Sequence, residues 1–384
     1  MDTPLTADDV PNSELRKGLL SDGGNLFIDT INHINFYIKQ WFYSEGRFYP
    51  IAMIYSSVVH LLFQGHGLYK VFLVALGLAN SFLIFKIIAK TLGNAPAVLS
   101  SLFFVSAYSI RYRYFHDGVS SFAGLIPFAL ILFLASIYIT TLNELSTRTK
   151  YILSITFYIL SILTYEHTTL FVVGAILFIL ILNPNKFGKI LSATLLSITT
   201  TQILAALYVR RNLNANVAYT IDLHSDKFVP TFLRQLVSAF PNSQRFFSSP
   251  GFLGDTIITK LNSLNLFIGI VAILFVFFIY ISSKSSSGEN SLGGFKSRAA
   301  LFVCGANMMI TPSLITGATI RWQNEIPQGQ GYLCVTLQSA GLAMIWGSLV
   351  PNGFSRFSTT VRIFMIFATA LLLSMNVFWN WNFA

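Results

Sequence analysis

Apolar runs long enough to cross a lipid bilayer recur along this chain from Tyr69 to the C-terminus. Each run holds roughly 17–25 residues, which as a helix spans about 30 Å of hydrocarbon. Backbone polar groups cannot stay unsatisfied in lipid, so such runs fold as helices or as a closed barrel. Because the runs are continuous rather than alternating, they favour helices. The predicted fold class is therefore all-α, a polytopic integral membrane helical bundle.

The composition agrees with a membrane protein. Hydrophobic residues make up 54% of the chain and charged residues only 10%, against about 25% charged in an ordinary soluble domain. Cys304 and Cys334 both fall in apolar segments. Two small buried hydrophobes are the favoured interpretation of these cysteines, and a disulfide stays open if their helices touch.

We predict about ten transmembrane helices and one shorter apolar helix. The segment 50–63 is too short to cross comfortably, so it is predicted to be re-entrant or interfacial, with both ends on one side. The predicted spans are 69–87, 94–110, 118–141, 149–164, 168–183, 187–208, 264–283, 299–316, 331–350 and 361–380.

Lysine and arginine are distributed unevenly between the two sides of this bundle. One set of alternate loops holds eleven Lys and Arg residues and two acidic residues. The other set, which includes the N-terminal tail, holds fourteen Lys and Arg residues and thirteen acidic residues. Short cytoplasmic loops carry the excess of Lys and Arg, so the first set is predicted to face the cytoplasm. The formal charge of +10 is thus interpreted as orientation in a membrane rather than nucleic-acid binding. The outward set comprises 1–68, 111–117, 165–167, 209–263, 317–330 and the C-terminus.

Two outward regions are long. The region 1–68 contains apolar residues at helical spacing between Phe27 and Trp41, which suit a helix lying on the membrane surface. The loop 209–263 carries a second such stretch around 232–240 and belongs to the transmembrane bundle 69–380. Because the tail begins outside with no helix before it, we expect a further membrane helix upstream.

Ionisable side chains near a membrane interior are costly and tend to face cavities, so those in the outward segments become candidate site residues. Each also has a plainer interpretation. Adjacent acids near a terminus can be solvated, Arg47 can extend to the interface, and a His–Asp pair at a helix start can be a cap. A carboxylate in the tight turn at Glu166 has a high free-energy cost near the membrane interior unless it has a functional role or an oppositely charged partner. The candidates are Asp8, Asp9, Arg47, Arg111, Arg113, His116, Asp117, Tyr165, Glu166, His167, Arg321, Gln323 and Tyr332.

Together these features resemble the GT-C membrane glycosyltransferases, the class of protein O-mannosyltransferases, aminoarabinose transferases and bacteriophage-type O-antigen glucosyltransferases. Asp8–Asp9, the amphipathic stretch and EGRFYP resemble the class's first outer loop with its acidic pair, which follows a first helix. TLGNAPAVLSSLFFVSAYSIRYRYFHDG resembles its small-residue helix ending in an outer loop with an acid. LTYEHTTL resembles its short Tyr-Glu turn, and RWQNEIPQGQGYLCVTLQ its late outer loop facing the lipid phosphate.

The resemblance implies an inverting, hexosyltransferase-type enzyme. Its donor would be a sugar on a polyprenyl phosphate, and its acceptor a hydroxyl of a glycan, lipid or protein on the outer face. It implies a bacterial multi-pass protein of the plasma (inner) membrane whose active site faces the periplasm or exterior. Membrane lipids are expected partners and nucleic acid is not.

The resemblance also implies roles for the candidate residues. A base must take the acceptor proton, and Asp8 or Asp9 is predicted for it. Cations must hold the leaving phosphate, and Arg321 and Arg47 are predicted for them. Dependence on a divalent metal stays open, because no spacing among the six histidines gives a strong site. The role of orienting the sugar or acceptor, or of helping to hold a metal, is predicted for Glu166, His116 and Asp117.

Three other functions remain open at this point. A transporter or lipid flippase would also have about ten helices, with inverted repeats and charges or breaks at mid-membrane depth. An O-antigen polymerase or ligase would share the substrate class and the large outer loop. A non-catalytic membrane scaffold would need none of the polar residues.

Overall fold

The computed structural model describes residues 25–63, 66–107, 121–212, 221–240, 294–325, 334–350 and 366–374, and in this part the chain is helical. Short 3-10 helices at Ser121–Gly124 and Glu166–Phe171 precede α5 and α7. The α-helices with assigned ends are α1 (Leu26–Glu45), α2 (Pro50–Leu62), α3 (His66–Leu92), α4 (Asn94–Ala107), α5 (Leu125–Thr141), α6 (Thr147–Ile162), α7 (Val172–Leu182), α8 (Lys186–Asn212), α9 (Phe228–Val237), α10 (Phe295–Ala318), α11 (Ile320–Glu325) and α12 (Val335–Leu349).

Three of the described helices are long and apolar enough to cross a membrane by length and composition. They are Gly67–Leu92 in α3, Lys186–Val209 in α8 and Phe295–Ala318, which is α10. The helical bundle and its membrane character therefore agree with the sequence prediction, whereas the full set of ten spans stays a prediction. The predicted span 264–283 lies outside the described residues. Shorter apolar helices are Pro50–Leu62, Asn94–Ala107, Leu125–Thr141, Glu166–Leu182 and Val335–Leu349.

Large apolar side chains point outward along the long helices. On α3, Leu68, Val71, Val74, Leu78 and Phe82 recur at helical spacing, and each is at least 50% exposed. Large apolar residues are exposed in the same way on α8 and α10. A soluble protein rarely exposes contiguous apolar surface on this scale. A helix in a bilayer presents such a face to lipid.

Small polar side chains lie inside the bundle instead. The Ser136 hydroxyl donates to the Ser154 carbonyl at 2.8 Å, and the Ser161 hydroxyl donates to the Ala129 carbonyl at 2.9 Å. Both bonds cross the contact between α5 and α6. Packed membrane helices use small residues and interhelical hydrogen bonds in this way, because lipid supplies little apolar driving force between them.

The helices α10 and α12 run antiparallel and touch through glycines. A Cβ added to Gly305 would lie 2.5 Å from the Gly341 carbonyl oxygen, and the reverse distance is also 2.5 Å. Only glycine allows two helices to approach so closely. Cys304 and Cys334 are buried free thiols on these helices. The Cys334 sulfur lies 3.4 Å from Thr316 Oγ1, towards the opposite end of α10 from Cys304, so the two cysteines do not pair.

The first two helices bring the chain to the end of the bundle. Asn25 caps α1 by accepting from the Phe27 amide at 3.0 Å, and exposed apolar residues along α1 agree with a surface-lying helix. The helix ends at Gly46 with φ 62°, a left-handed conformation that glycine adopts without strain. The chain then turns into α2, which begins with Pro50 and spans 13 residues. The short helix predicted over 50–63 is therefore present, and its re-entrant or interfacial placement stays a prediction.

Candidate functional site

Glu166 stands at a break between two helices, and side chains from neighbouring helices hold that break in place. The Tyr158 hydroxyl donates to the Thr169 carbonyl at 3.2 Å. The Gln202 amide donates to the Ile162 carbonyl at 3.1 Å, and its oxygen accepts from the Thr169 hydroxyl at 3.3 Å. Helix ends leave backbone groups that need partners where water is scarce. These bonds supply such partners and fix the segment that carries Glu166.

The Glu166 carboxylate is paired with residues that lie more than a hundred positions earlier. Arg47 Nη2 lies 2.6 Å from Glu166 Oε1, and the two side chains are 9% and 25% exposed. The Tyr49 hydroxyl donates to the other carboxylate oxygen, Oε2. Arg47 Nε also lies 3.4 Å from the Tyr49 hydroxyl oxygen. We call Arg47, Tyr49 and Glu166 the carboxylate cluster.

Two aromatic rings surround the Arg47 guanidinium and stabilise its positive charge inside the cluster. Its guanidinium carbon lies 5.1 Å from the ring centres of both Trp41 and Tyr49, within the range of cation–π attraction. Burial raises the pKa of the Tyr49 phenol, and the adjacent Glu166 carboxylate raises it further, although Arg47 opposes the shift. The phenol therefore stays protonated and remains a hydrogen-bond donor. The geometry favours a built cluster over the interpretation of Arg47 as an interface anchor.

The two neighbours of Glu166 in sequence lie beside the cluster. Tyr165 and His167 stack with their ring centres 4.7 Å apart and an angle of 13° between the planes. Both side chains are buried. The structure thus brings together four of the thirteen candidate site residues, Arg47, Tyr165, Glu166 and His167.

Gln323 lies in a second group, at the corner between α10 and α11. Its side-chain nitrogen donates to the Asp222 and Gly317 carbonyls, both at 2.8 Å. The Asp222 amide donates back to the Ala318 carbonyl at 2.7 Å. Because two backbone carbonyls occupy the amide nitrogen, the geometry indicates that Gln323 holds the corner. Its predicted contact with substrate stays a prediction.

Arg321 lies on the same corner, at the end of the bundle where the carboxylate cluster lies. Its guanidinium carbon is 4.9 Å from the centre of the Trp322 ring. At one end of α12, Gly347 packs against Ile88, which lies close to Lys90 in sequence, and at the other end the Cys334 sulfur lies 3.4 Å from Thr316 Oγ1 of α10. The Arg321 corner therefore lies at the end of the bundle away from Lys90, and so does the Glu166 segment, because α6 separates it from Glu144, the partner of Lys90.

A second ion pair marks the opposite side. Lys90 Nζ lies 3.0 Å from Glu144 Oε1, and these side chains are 42% and 65% exposed. The sequence places both residues in cytoplasmic loops. Each of the two ion pairs thus joins segments that the charge distribution assigns to the same face.

Several predicted site residues lie outside the described residues, so their roles stay predictions. Within the part of the chain that the structure describes, no group of three or more His, Cys, Asp and Glu side chains could hold a metal ion. Metal dependence stays open. The predicted residues outside this part are Asp8, Asp9, Arg111, Arg113, His116, Asp117 and Tyr332.

The sequence interpretation missed three residues that build the site. Tyr49 stands two positions after Arg47 and directly before the proline that opens α2. The motif RFYP could therefore have indicated that the Tyr49 phenol lies near the Arg47 guanidinium. Tyr158 and Gln202 lie inside apolar helices. A buried amide or phenol in such a helix needs a partner, and that requirement was their only signal.

Comparison of the chain with protein-family models, with curated proteins and with solved structures gave no match. The resemblance to GT-C glycosyltransferases therefore stays an expectation from short sequence motifs.

Proposed function

We propose that this protein is a GT-C-type membrane glycosyltransferase that moves a sugar from a polyprenyl phosphate to an acceptor hydroxyl on the outer face. The observation that carries the proposal is the carboxylate cluster. It holds a partly buried carboxylate in fixed geometry, on the same side of the bundle as the Arg321 corner. A bundle of about ten spans in a bacterial plasma membrane would place this end in the periplasm.

Glu166 suits the recognition of sugar hydroxyls. A carboxylate accepts several hydrogen bonds, and hydrogen bonds to an ionised acceptor are stronger than neutral ones. The Glu166 side chain is 25% exposed, and each carboxylate oxygen can accept a further hydrogen bond besides the one it has. In this assignment Arg47 is a positioning residue that orients Glu166, because its Nη2 already bonds the carboxylate.

The transfer step needs a base and a phosphate-binding cation besides Glu166. The acceptor oxygen attacks the anomeric carbon, the bond from that carbon to the phosphate oxygen breaks, and polyprenyl phosphate leaves with the bonding electrons. Asp8 or Asp9 takes the acceptor proton in this proposal. Arg321 supplies positive charge to the leaving phosphate, for which a guanidinium is well shaped.

The test uses the full chain in lipid vesicles that contain polyprenyl-phosphate hexose and an envelope-glycan extract. Mass spectrometry follows the release of polyprenyl phosphate and the hexose-bearing product. We expect Glu166→Gln to lower turnover about 100-fold, the size of effect that misplacing a reactant produces. Glu144→Gln is the matched control, because it makes the same change in an ion-paired carboxylate on the opposite side. Wild-type turnover by the Glu166 variant, or no transfer by the wild type, would contradict the proposal.

A transporter or lipid flippase is the second candidate, because a 3-10 segment forms one helix junction and a proline lies inside one continuous helix. The Glu166–Phe171 segment breaks the passage from α6 into α7, and Pro312 lies inside α10. Gln338 donates to the Met309 carbonyl beside this proline at 2.8 Å. Transporters bind substrates at such breaks. Movement of the polyprenyl-phosphate hexose between leaflets of the same vesicles, without release of polyprenyl phosphate, would favour this function.

A further inference from the structure

The helix α9 has its polar face buried and its apolar face exposed. It belongs to the loop 209–263, which the sequence places outside the membrane. Thr231, Gln235 and Ser238 share one face and are 1%, 0% and 1% exposed. A helix that lay on the membrane surface by itself would turn such residues to water. The structure turns them into the bundle instead.

Hydrogen bonds hold the polar face of α9 against α10 and α12. The Gln235 side-chain nitrogen donates to Gln338 Oε1 at 2.7 Å and lies 3.3 Å from the Cys334 sulfur. Gln338 in turn donates to the Ser313 hydroxyl at 2.6 Å. The contact is also tight, since a Cβ on Gly317 would lie 3.0 Å from Phe232 Cβ. These bonds fix α9 in one rotation about its axis.

That rotation leaves an apolar face turned away from the described part of the bundle. Val229, Leu233 and Phe240 lie on this face and are 56%, 49% and 46% exposed. The half-buried Leu236 and Val237 belong to the same side of the helix. Polar residues inside and apolar residues outside are the arrangement of a helix between protein and lipid. A helix between protein and water shows the opposite pattern.

The apolar face of α9 continues the exposed apolar surface of a candidate membrane span. Phe232 packs on Gly317, one turn beyond Leu314 of α10, and Leu314 and Ile310 are both exposed. At the start of α9, Lys227 donates from Nζ to Asn324 Oδ1 at 2.8 Å and stays exposed. A charged group at one end and apolar residues along the face set the depth of a helix in a leaflet.

We propose that α9 is embedded in the outer leaflet, with Val229, Leu233 and Phe240 against lipid acyl chains. The occupant of this face is hydrocarbon rather than water or a second protein, because the face continues the exposed apolar surface of α10. The loop 209–263 is then in part a membrane element, and its stretch around 232–240 lies deeper than the surface position predicted from the sequence. This placement does not depend on the transfer reaction.

The test measures which reagents collide with a spin label at position 233. The full chain, with Cys304→Ala and Cys334→Ser to remove native thiols, carries Leu233→Cys and is reconstituted in vesicles of phosphatidylcholine and phosphatidylglycerol. Oxygen concentrates in hydrocarbon, and a water-soluble nickel complex stays in water. Asp226→Cys, at an exposed polar position before α9, is the aqueous control. Phe82→Cys, on the exposed face of α3, is the lipid control.

We expect the label at position 233 to resemble that at position 82, with oxygen collisions several-fold more frequent than nickel collisions. The label at position 226 should show the reverse. If position 233 behaved as position 226 does, the face would lie in water and the proposal would be overturned. A label that neither reagent reached would also overturn it, because a protein surface would then cover the face. Val229→Cys repeats the measurement if the Leu233 variant does not fold.

Discussion

Replacing Arg47 by Met and Glu166 by Gln, singly and together, measures how strongly the carboxylate cluster is coupled. Each replacement keeps the approximate side-chain volume and removes the charge. The free energy of unfolding of the four proteins forms a double-mutant cycle, whose interaction term isolates the pair from the effects of each replacement alone. Lys90→Met and Glu144→Gln form the matched cycle for an exposed pair.

The two cycles differ in expected size because the pairs differ in burial. Breaking a fully buried ion pair costs about 3–5 kcal/mol. Glu166 retains 25% exposure and still accepts from the Tyr49 hydroxyl, so we expect a coupling of about 2 kcal/mol for this pair. The Lys90 and Glu144 side chains are 42% and 65% exposed. Their coupling should be much weaker than that of Arg47 and Glu166, since water competes for both charges.

Unfolding by sodium dodecyl sulfate in mixed micelles, followed by circular dichroism, gives these free energies for a helical membrane protein. Repeating the cycles at low and high salt adds a second readout. Salt screens exposed charges far more than buried ones. The Lys90–Glu144 coupling should therefore vanish at high salt, while most of the Arg47–Glu166 coupling remains.

Equal couplings in the two cycles would refute the reasoning. So would an Arg47–Glu166 coupling that disappeared with salt. In either case the carboxylate would be a solvated surface group, and Glu166 would lose the fixed orientation on which the proposed function depends.

Two further perturbations test the packing and the titration of the site. Burial keeps the pKa of Tyr49 above its usual 10.0, so its protonated form stabilises the fold below pH 10 and this contribution falls as the pH rises further. The wild type should lose about 1.4 kcal/mol per pH unit above pH 10 relative to Tyr49→Phe. A constant difference in unfolding free energy across that range would contradict this. Gly341→Val should destabilise the fold by about 1–3 kcal/mol, since any Cβ at that position would approach the Gly305 carbonyl oxygen to 2.5 Å. Gly67→Ala, with nothing within 4 Å, should be neutral or stabilising in the same detergent-unfolding assay.

The periodicity and length of apolar runs predicted most of the described helices, because both are local properties of the chain. The predicted span 187–208 corresponds to Lys186–Asn212, and 299–316 to Phe295–Ala318. The sorting of charged loops also placed Arg47 and Glu166 on one side and Lys90 and Glu144 on the other, as the two ion pairs require. The grouping of loops depends only on the order of helices along the chain, and which group faces outward stays a prediction.

The sequence could not say which side chains meet within one side. The sequence indicated that the Glu166 carboxylate needs a partner. Its partners Arg47 and Tyr49 lie 119 and 117 residues away, and only the packing of the helices brings them into contact. The amphipathic pattern of α9 was visible, yet the same pattern allows its polar face to meet water or protein. The bond from Gln235 to Gln338, 103 residues apart, decides that rotation. Helices and sides follow from local chemistry, whereas partners and helix faces follow from tertiary contacts between distant residues.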